Sequence, residues 1–201
     1  MLNIGCHLSS ARGYAAMGKE ALSIDANTFQ FFTRNPRGGE AKPLDLSDVE
    51  ALCRILNENN FASVLAHAPY TLNLCSADSG IREFAQRILA DDISRMEHIP
   101  QGMLNFHPGS HVKQGVEIGV EKIAKTLDEV IFDDMQTTVL LEGMSGKGSE
   151  MGRSFQELAD IIASTKWGAR IGVCLDTCHL YSAGYDIVNN LDAVIADFDR
   201  V

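Results

Sequence analysis

Short apolar runs alternate with longer amphipathic segments along the whole chain. The short runs have the length and composition of buried strands, and the longer segments repeat apolar residues at helical spacing. We therefore predict six strands, at residues 2–8, 27–32, 63–68, 103–107, 137–142 and 171–176. Six helices are predicted at residues 14–23, 46–59, 79–98, 114–131, 154–165 and 187–200. Two helix starts carry an S-x-x-E capping box, opened by Ser47 and Ser154.

This alternation predicts right-handed βαβ units and a parallel sheet. An open doubly wound sheet and a closed eight-stranded barrel both fit that pattern. The open sheet collects ligands at one switch point, whereas a barrel draws its reactive residues from the ends of several strands. Four consecutive strands here end in a side chain that can bind metal, and no G-x-G-x-x-G motif follows the first strand. We predict an α/β fold, a TIM-type (β/α)8 barrel with about six βα units present, as one incomplete domain over residues 1–201.

The four strand-end side chains are His67, His107, Glu142 and Asp176. Because strand side chains alternate between faces, each lies at or near the last inward position of its strand. A carboxylate there is costly unless it is paired or bound to metal, so Glu142 is unlike an ordinary surface acid. Two imidazoles and two carboxylates form a nitrogen and oxygen set that suits zinc or manganese. His179, in the predicted turn after Asp176, is a further ligand candidate or, alternatively, a residue that supports the ligands.

Other residues near these strand ends are candidates for supporting roles. His7 ends the first strand and could face the same site. His111 follows His107 by four residues and could support the ligands or contact a phosphate, with a plain loop residue as the alternative. The loop after the second strand holds Arg34 and Arg37 near two glycines, which suggests an arm that contacts phosphate or, alternatively, a solvated loop. Tyr70 could be a wedge or stacking group, or could pack within its loop.

Composition narrows the class of protein. A net charge of −10 argues against non-specific binding to nucleic acid, although a local basic patch or bound cations could offset it. The five cysteines form no disulfide framework and read as buried thiols in a reducing compartment. No apolar run approaches the ~20 residues of a membrane span, and the start lacks the pattern of a signal peptide. These features predict a cytoplasmic protein that does not enter a membrane.

Longer motifs surround the candidate residues. The pair N-F-H-P-G-S-H at residues 105–111 and D-T-C-H at residues 176–179 is highly specific. On these motifs the chain closely resembles endonuclease IV, the zinc-dependent apurinic/apyrimidinic endonuclease family of DNA base-excision repair, over essentially all 201 residues. Further matching motifs are G-x-H-x-S at 5–9, F-T-R-N-P-R at 32–37, H-A-P-Y at 67–70, Glu142 with G-K-G at 146–148, and A-G-Y-D at 183–186.

The resemblance implies a (β/α)8 barrel that holds three zinc ions. His67, His107 and Glu142 match the ligands of the first zinc. Glu142 would bridge to a second zinc that Asp176 also holds, and His179 matches a ligand of the third. The implied reaction is hydrolysis of the phosphodiester bond 5′ of an abasic site in double-stranded DNA, leaving a 3′-hydroxyl, with Glu142 as the catalytic residue.

The resemblance also implies a DNA contact and a monomer. Arg37 and Tyr70 match the loops that penetrate DNA and help to flip out the abasic nucleotide. The family supplies further ligands from strands seven and eight, namely a histidine, a D-x-H pair and a glutamate, which do not follow the sixth strand here. We therefore expect a C-terminally shortened member with a full ligand set for one zinc, and Gly143 where threonine or asparagine is usual. The alternatives are a metal-dependent sugar isomerase or epimerase, and an inactive fragment that binds metal or DNA.

Overall fold

The structure, a computed structural model, describes residues 2–201. Its strands are β1 (His7–Leu8), β2 (Gln30–Phe32), β3 (Leu65–His67), β4 (Met103–Phe106), β5 (Thr138–Gly143) and β6 (Ile171–Leu175). They form one sheet in which each strand lies beside the strand that precedes it in the chain, in the order β1-β2-β3-β4-β5-β6. A doubly wound sheet reverses its strand order at a switch point, and this order does not. The prediction of six βα units of a TIM-type barrel is therefore confirmed.

The helices are α1 (Tyr14–Ser23), α2 (Leu46–Glu58), α3 (Ser79–Met96), α4 (Val116–Val130), α5 (Phe155–Ser164), α6 (Thr177–Ala183) and α7 (Leu191–Arg200). All six predicted helices are found with similar bounds. The prediction of a turn after Asp176 is wrong, because α6 begins there and includes His179. None of the helices within residues 2–201 has the length and apolar character needed to cross a membrane.

Of the two predicted capping boxes, the one at the start of α5 has the predicted N-cap and the one at the start of α2 does not. Ser154 is the N-cap of α5 as predicted, and its hydroxyl accepts the backbone N–H of Glu157 at 3.2 Å. Ser47 is not a cap, because it lies inside the first turn of α2. Asp45 caps that helix instead by accepting the N–H groups of Ser47 and Asp48. An aspartate at the N-cap also complements the positive end of the helix dipole.

The chain divides into two compact units. The first comprises residues 1–71, 89–105 and 134–138. In this unit α1 packs closely on α2 at Gly18, where an added Cβ would lie 2.9 Å from Leu52 Cδ1. A larger residue at position 18 would push the two helices apart. Fully buried side chains in the unit include Met17, Phe29, Phe31 and Leu52.

The second unit comprises residues 72–88, 106–133 and 139–201. Here α4 and α5 pack together, and the connection after α5 is held where Thr165 Oγ1 donates to Asp128 Oδ1 at 2.5 Å. Its buried side chains include Ile123, Leu127, Leu141, Phe155, Leu158 and Ile161. The single domain over residues 1–201 stays a prediction.

Glu97, just after α3, ties that helix to the start of β5. Its carboxylate accepts the Thr137 hydroxyl at 2.5 Å, the Thr137 N–H at 2.8 Å and the N–H of Gln136. Partial burial raises the pKa of Glu97, but these hydrogen bonds outweigh it and hold the pKa below its usual value. Glu97→Gln should therefore lower the free energy of unfolding by about 1–2 kcal/mol at pH 7, as measured by urea denaturation.

The same substitution has a predictable pH dependence. Because the folded-state pKa is depressed, the stabilisation is present above the unfolded pKa of about 4.3 and is lost as the pH falls through the folded value. The unfolding curves of wild type and Glu97→Gln should converge as the pH is lowered from about 5 to about 3. The control, Glu58→Gln at the end of α2, should change stability by less than about 0.5 kcal/mol. A gap between wild type and Glu97→Gln that stays constant with pH would contradict this assignment.

Candidate metal centre

Glu142 lies at the centre of the candidate site. It is the last residue but one of β5, and it pairs in register with Cys174 of β6. Its neighbours Val139 and Leu141 are fully buried, and Glu142 itself is only 3% exposed. A carboxylate in that position needs charged or hydrogen-bonding partners to offset the cost of desolvation.

Two histidines supply those partners. His107, directly after β4, places Nε2 3.2 Å from Glu142 Oε2. His179 of α6 places Nδ1 3.1 Å from Glu142 Oε1. The two imidazole rings lie 5.8 Å apart and nearly perpendicular. Each carboxylate oxygen therefore faces one ring nitrogen.

Asp176 connects this pair to the first turn of α6. Its Oδ1 accepts the backbone N–H of His179 at 2.8 Å, which caps the helix and fixes the spacing of the two residues. Glu142, Asp176 and His179 each offer one ligand atom, and these atoms lie within 4.8 Å of one another. The predicted ligands Glu142, Asp176, His179 and His107 are thus brought together within the second unit.

The donor chemistry fits a divalent metal of the zinc type. Imidazole nitrogens and carboxylate oxygens are the ligands that zinc takes in catalytic sites, and the carboxylates offset the positive charge of the ion. Burial and, next, the nearby Glu142 and Asp176 carboxylates raise the pKa of Cys174 to about 12. A cation placed among these oxygens would relieve their mutual repulsion.

His67 lies in the first unit, at the end of β3, and is buried. Its Nδ1 is 2.5 Å from the carbonyl oxygen of Ala68, so Nδ1 carries the proton and donates. The electron pair of the ring then lies on Nε2. This backbone contact is the usual way in which a metal-ligating histidine is held in one tautomer.

His7, at the start of β1, lies beside the same aromatic residue as His67. The His7 ring is 4.8 Å from the Phe32 ring, the His67 ring is 5.2 Å from it, and His7 Nδ1 is 3.1 Å from Gln30 Nε2. Burial lowers the pKa of His7, and the charge of His67 lowers it further. The predicted supporting role of His7 stays a prediction.

His111 has a helix-capping contact. Its Nδ1 accepts the backbone N–H of Gly115 at 3.1 Å, at the start of α4. The ring therefore satisfies one of the backbone donors that the first turn of a helix leaves without an intrahelical partner. A contact of His111 with the metal ligands or with phosphate stays a prediction.

We call the loop after β2, residues 33–42, the arm. A turn closes where Gly38 N–H donates to Asn35 O at 2.8 Å, with Pro36 and Arg37 at its tip. Arg37 is exposed there. Tyr70 is 43% exposed, and its N–H donates to Pro36 O at 3.1 Å. The two predicted DNA-contacting residues are therefore neighbours on the surface of the first unit.

The prediction that Arg34 contacts phosphate or lies in a solvated loop is wrong. The Arg34 side chain is only 1% exposed and is paired with Asp91 and Asp92, so it does not face solvent as a phosphate contact would. The Arg34 Nε–Asp92 Oδ1 distance is 2.9 Å. The two aspartates lie on α3, far along the chain from Arg34, so no motif near Arg34 could have predicted these ion pairs.

Comparison with known proteins shows to which family the chain belongs. A family model described as a xylose isomerase-like TIM barrel matches residues 19–201. A probable endonuclease 4 from Alkaliphilus oremlandii (strain OhILAs) is 63% identical over 201 residues, which are 100% of this chain and 72% of that protein. The chain belongs to the endonuclease IV family. The crystal structure of endonuclease IV from Thermus thermophilus agrees, with a TM-score of 0.83 at 30% identity over 98% of this chain and 71% of that one.

Membership of the endonuclease IV family confirms the resemblance seen in the motifs and makes the chain a member of a family of nucleases, which are hydrolases. A D-psicose 3-epimerase structure, with D-tagatose, from Clostridium cellulolyticum H10 has a TM-score of 0.67 at 14% identity, over 96% of this chain and 69% of that one. That likeness shows a shared fold only. The fold is therefore compatible with a sugar epimerase, but the family to which the chain belongs does not support that alternative.

One further residue near the site was not predicted from the endonuclease IV motifs. Asn73 holds the loop that follows His107, because its Nδ2 donates to Ser110 O and its Oδ1 accepts Ser110 N–H, both at 3.0 Å. Gly109 has φ +102° and passes so close that an added Cβ would lie 2.5 Å from Asn73 Oδ1. The glycine of the H-P-G-S-H motif could have signalled this close approach, but its partner could not be named from the sequence.

Proposed function

We propose that this chain is a zinc-dependent DNA-repair endonuclease that cleaves the phosphodiester bond 5′ of abasic sites in double-stranded DNA and leaves a 3′-hydroxyl. The observation that carries the proposal is the buried Glu142 carboxylate with an imidazole nitrogen beside each oxygen. Membership of the endonuclease IV family supports DNA as the substrate class. The family does not specify the metal, the type of lesion or the side of the lesion on which the cut falls, and these three features are our proposal.

The proposed ligands of the first zinc are His67, His107 and Glu142. Support for His67 comes from its Nδ1 contact with Ala68, which leaves the electron pair on Nε2. It also comes from the register of β3 and β4, in which His67 pairs with Asn105. Residues two apart on a strand share a face, so His107 continues the face of Asn105.

The proposed ligands of a second zinc are Glu142 and Asp176, and His179 would contribute to a third. Glu142 has two oxygens and can serve two ions, and Asp176 Oδ2 is the oxygen that does not cap α6. When bound, zinc supplies Lewis acidity toward the scissile phosphate and neutralises its charge. The chain's own contribution is to hold these ligands at fixed spacing in a partly buried site, where electrostatic stabilisation is strong.

The proposed DNA contacts are Arg37 and Tyr70. Arg37 is an exposed cation at the tip of the arm, in a chain with a net charge of −10. Tyr70 presents an exposed ring that could fill the space of a displaced nucleotide. Local positive charge on the arm would thus offset the overall repulsion between an acidic protein and DNA.

The test is incision of a labelled duplex that contains a single abasic site by the purified 201-residue chain loaded with zinc. We expect one cut on the 5′ side of the lesion, at less than one enzyme per duplex, and a product that a DNA polymerase can extend. The matched control is the same duplex with an intact nucleotide, which should stay uncut. No cleavage by a folded, zinc-loaded chain would contradict the proposed activity, and a cut on the 3′ side would contradict the proposed mechanism.

A further inference from the structure

We propose that Arg34 and Arg95 are positioning residues that hold the arm, residues 33–42, in the shape that presents Arg37 to DNA. This inference rests on the proposed function of Arg37. Both arginines bind the backbone of the arm beyond its tip, on the C-terminal side of Arg37. They would therefore act on DNA binding through the shape of the arm.

The first observation is that three backbone carbonyl oxygens of the arm accept hydrogen bonds. Arg34 Nη1 donates to Gly39 O at 3.2 Å, and Arg95 Nη1 donates to Lys42 O at 3.0 Å. The N–H of Tyr70 donates to Pro36 O at 3.1 Å on the other side of Arg37. The arm is therefore held at one carbonyl before Arg37 and two after it, although it contains no helix or strand of its own.

The second observation is the network of charged side chains to which the arm is bound. Asp92 is 0% exposed and accepts Arg34 Nη2 at 2.7 Å as well as the Thr33 hydroxyl at 2.5 Å. Asp91 contacts both arginines, with Arg95 Nε at 2.8 Å. Two arginines and two aspartates thus form one network with balanced charge. Each guanidinium uses separate N–H groups for an aspartate and for a carbonyl, which a lysine ammonium cannot do in the same geometry.

The consequence is a preorganised DNA contact. A loop that is already held in its binding shape loses less conformational freedom when DNA binds. If loss of the anchor left the arm in that shape only a tenth of the time, the apparent affinity for the abasic duplex would fall about tenfold. The exposed Arg37 would still be present and charged, so the loss would reflect position rather than charge.

The test uses Arg95→Met, because Arg95 is less deeply buried than Arg34 and its loss disturbs the core less. The control is Arg54→Met, which removes an exposed arginine from α2 in the same unit. Trypsin cleavage at the Arg37–Gly38 bond reports the mobility of the arm without DNA. We expect about tenfold faster cleavage in Arg95→Met than in wild type or Arg54→Met, with unchanged circular dichroism and zinc content.

Arg95→Lys separates geometry from charge. It keeps the positive charge beside Asp91 but cannot hold the aspartate and the Lys42 carbonyl together, so its arm should also be cleaved faster than wild type. Cleavage of Arg95→Met at the wild-type rate would overturn the anchor. Cleavage of Arg95→Lys at the wild-type rate would overturn the bridging geometry.

DNA binding provides the functional readout. Arg95→Met should bind a duplex with an abasic analogue about tenfold more weakly than wild type, whereas Arg54→Met should bind as wild type does. Faster proteolysis with unchanged DNA affinity would overturn the role in DNA binding while leaving the anchor in place. Failure of the wild type to bind the abasic duplex would instead refute the proposed function, and the proteolysis result would still decide whether the anchor exists.

Discussion

Glu142→Gln is expected to lower incision of the abasic duplex by at least about a thousandfold and to release bound zinc. Glutamine has nearly the same shape but no negative charge, and its amide nitrogen cannot be a ligand. The substitution would therefore leave His107 and His179 facing a neutral group across distances of 3.2 and 3.1 Å. Because Glu142 lies beside both histidines, its loss would affect more than one of the proposed metal positions.

The measurement combines single-turnover incision with a zinc titration against a chelator of known affinity. The control is Glu121→Gln, which removes the same charge from an exposed position on α4. That control should retain wild-type zinc binding and incision within a factor of about two, because an exposed surface charge contributes little. Wild-type zinc affinity in Glu142→Gln would show that this carboxylate is not a ligand.

Arg34→Met is expected to cause the largest loss of stability, about 3–5 kcal/mol in the free energy of unfolding. The substitution leaves Asp92, which is 0% exposed, without its cationic partner. It also removes the donor to the Gly39 carbonyl, so the base of the arm loses two kinds of contact. Urea denaturation followed by circular dichroism at pH 7 measures the change.

The double variant Arg34→Met/Asp92→Leu tests the cause of that loss. When both charges of a buried pair are replaced by apolar groups, the desolvation cost disappears with them. We expect the double variant to be more stable than Arg34→Met alone, although Asp91 and Thr33 also lose a partner. A double variant whose loss equals the sum of the two single losses would show that the charges act independently.

The sequence predicted the candidate site better than it predicted the supporting contacts. His107, Glu142 and Asp176 each follow or end an apolar strand, and parallel strands deliver their carboxyl ends to the same edge of a sheet. The pattern of apolar and polar positions is therefore enough to indicate that such residues meet. The same reasoning placed six helices within a few residues of their observed bounds.

The missed features share a different physical origin. The seven residues of α6 are too few to show a helical period, and the helix depends on its Asp176 cap rather than on an apolar face. Ser47 matched the capping-box spacing, but Asp45 two residues earlier took the cap. The burial of Arg34 depends on Asp91 and Asp92, which are distant in sequence and become neighbours only through the fold.

The strand order has a consequence for how the chain reaches its native state. Every strand lies beside the one that precedes it, so each pairing closes a loop of a single helix-containing connection. The entropy lost in closing such a loop grows only slowly with its length, and none of these strand pairings waits for a distant segment of chain. Folding can then proceed by successive addition, in which each new strand pairs with the exposed edge of the strand before it. This can begin while the polypeptide is still being synthesised.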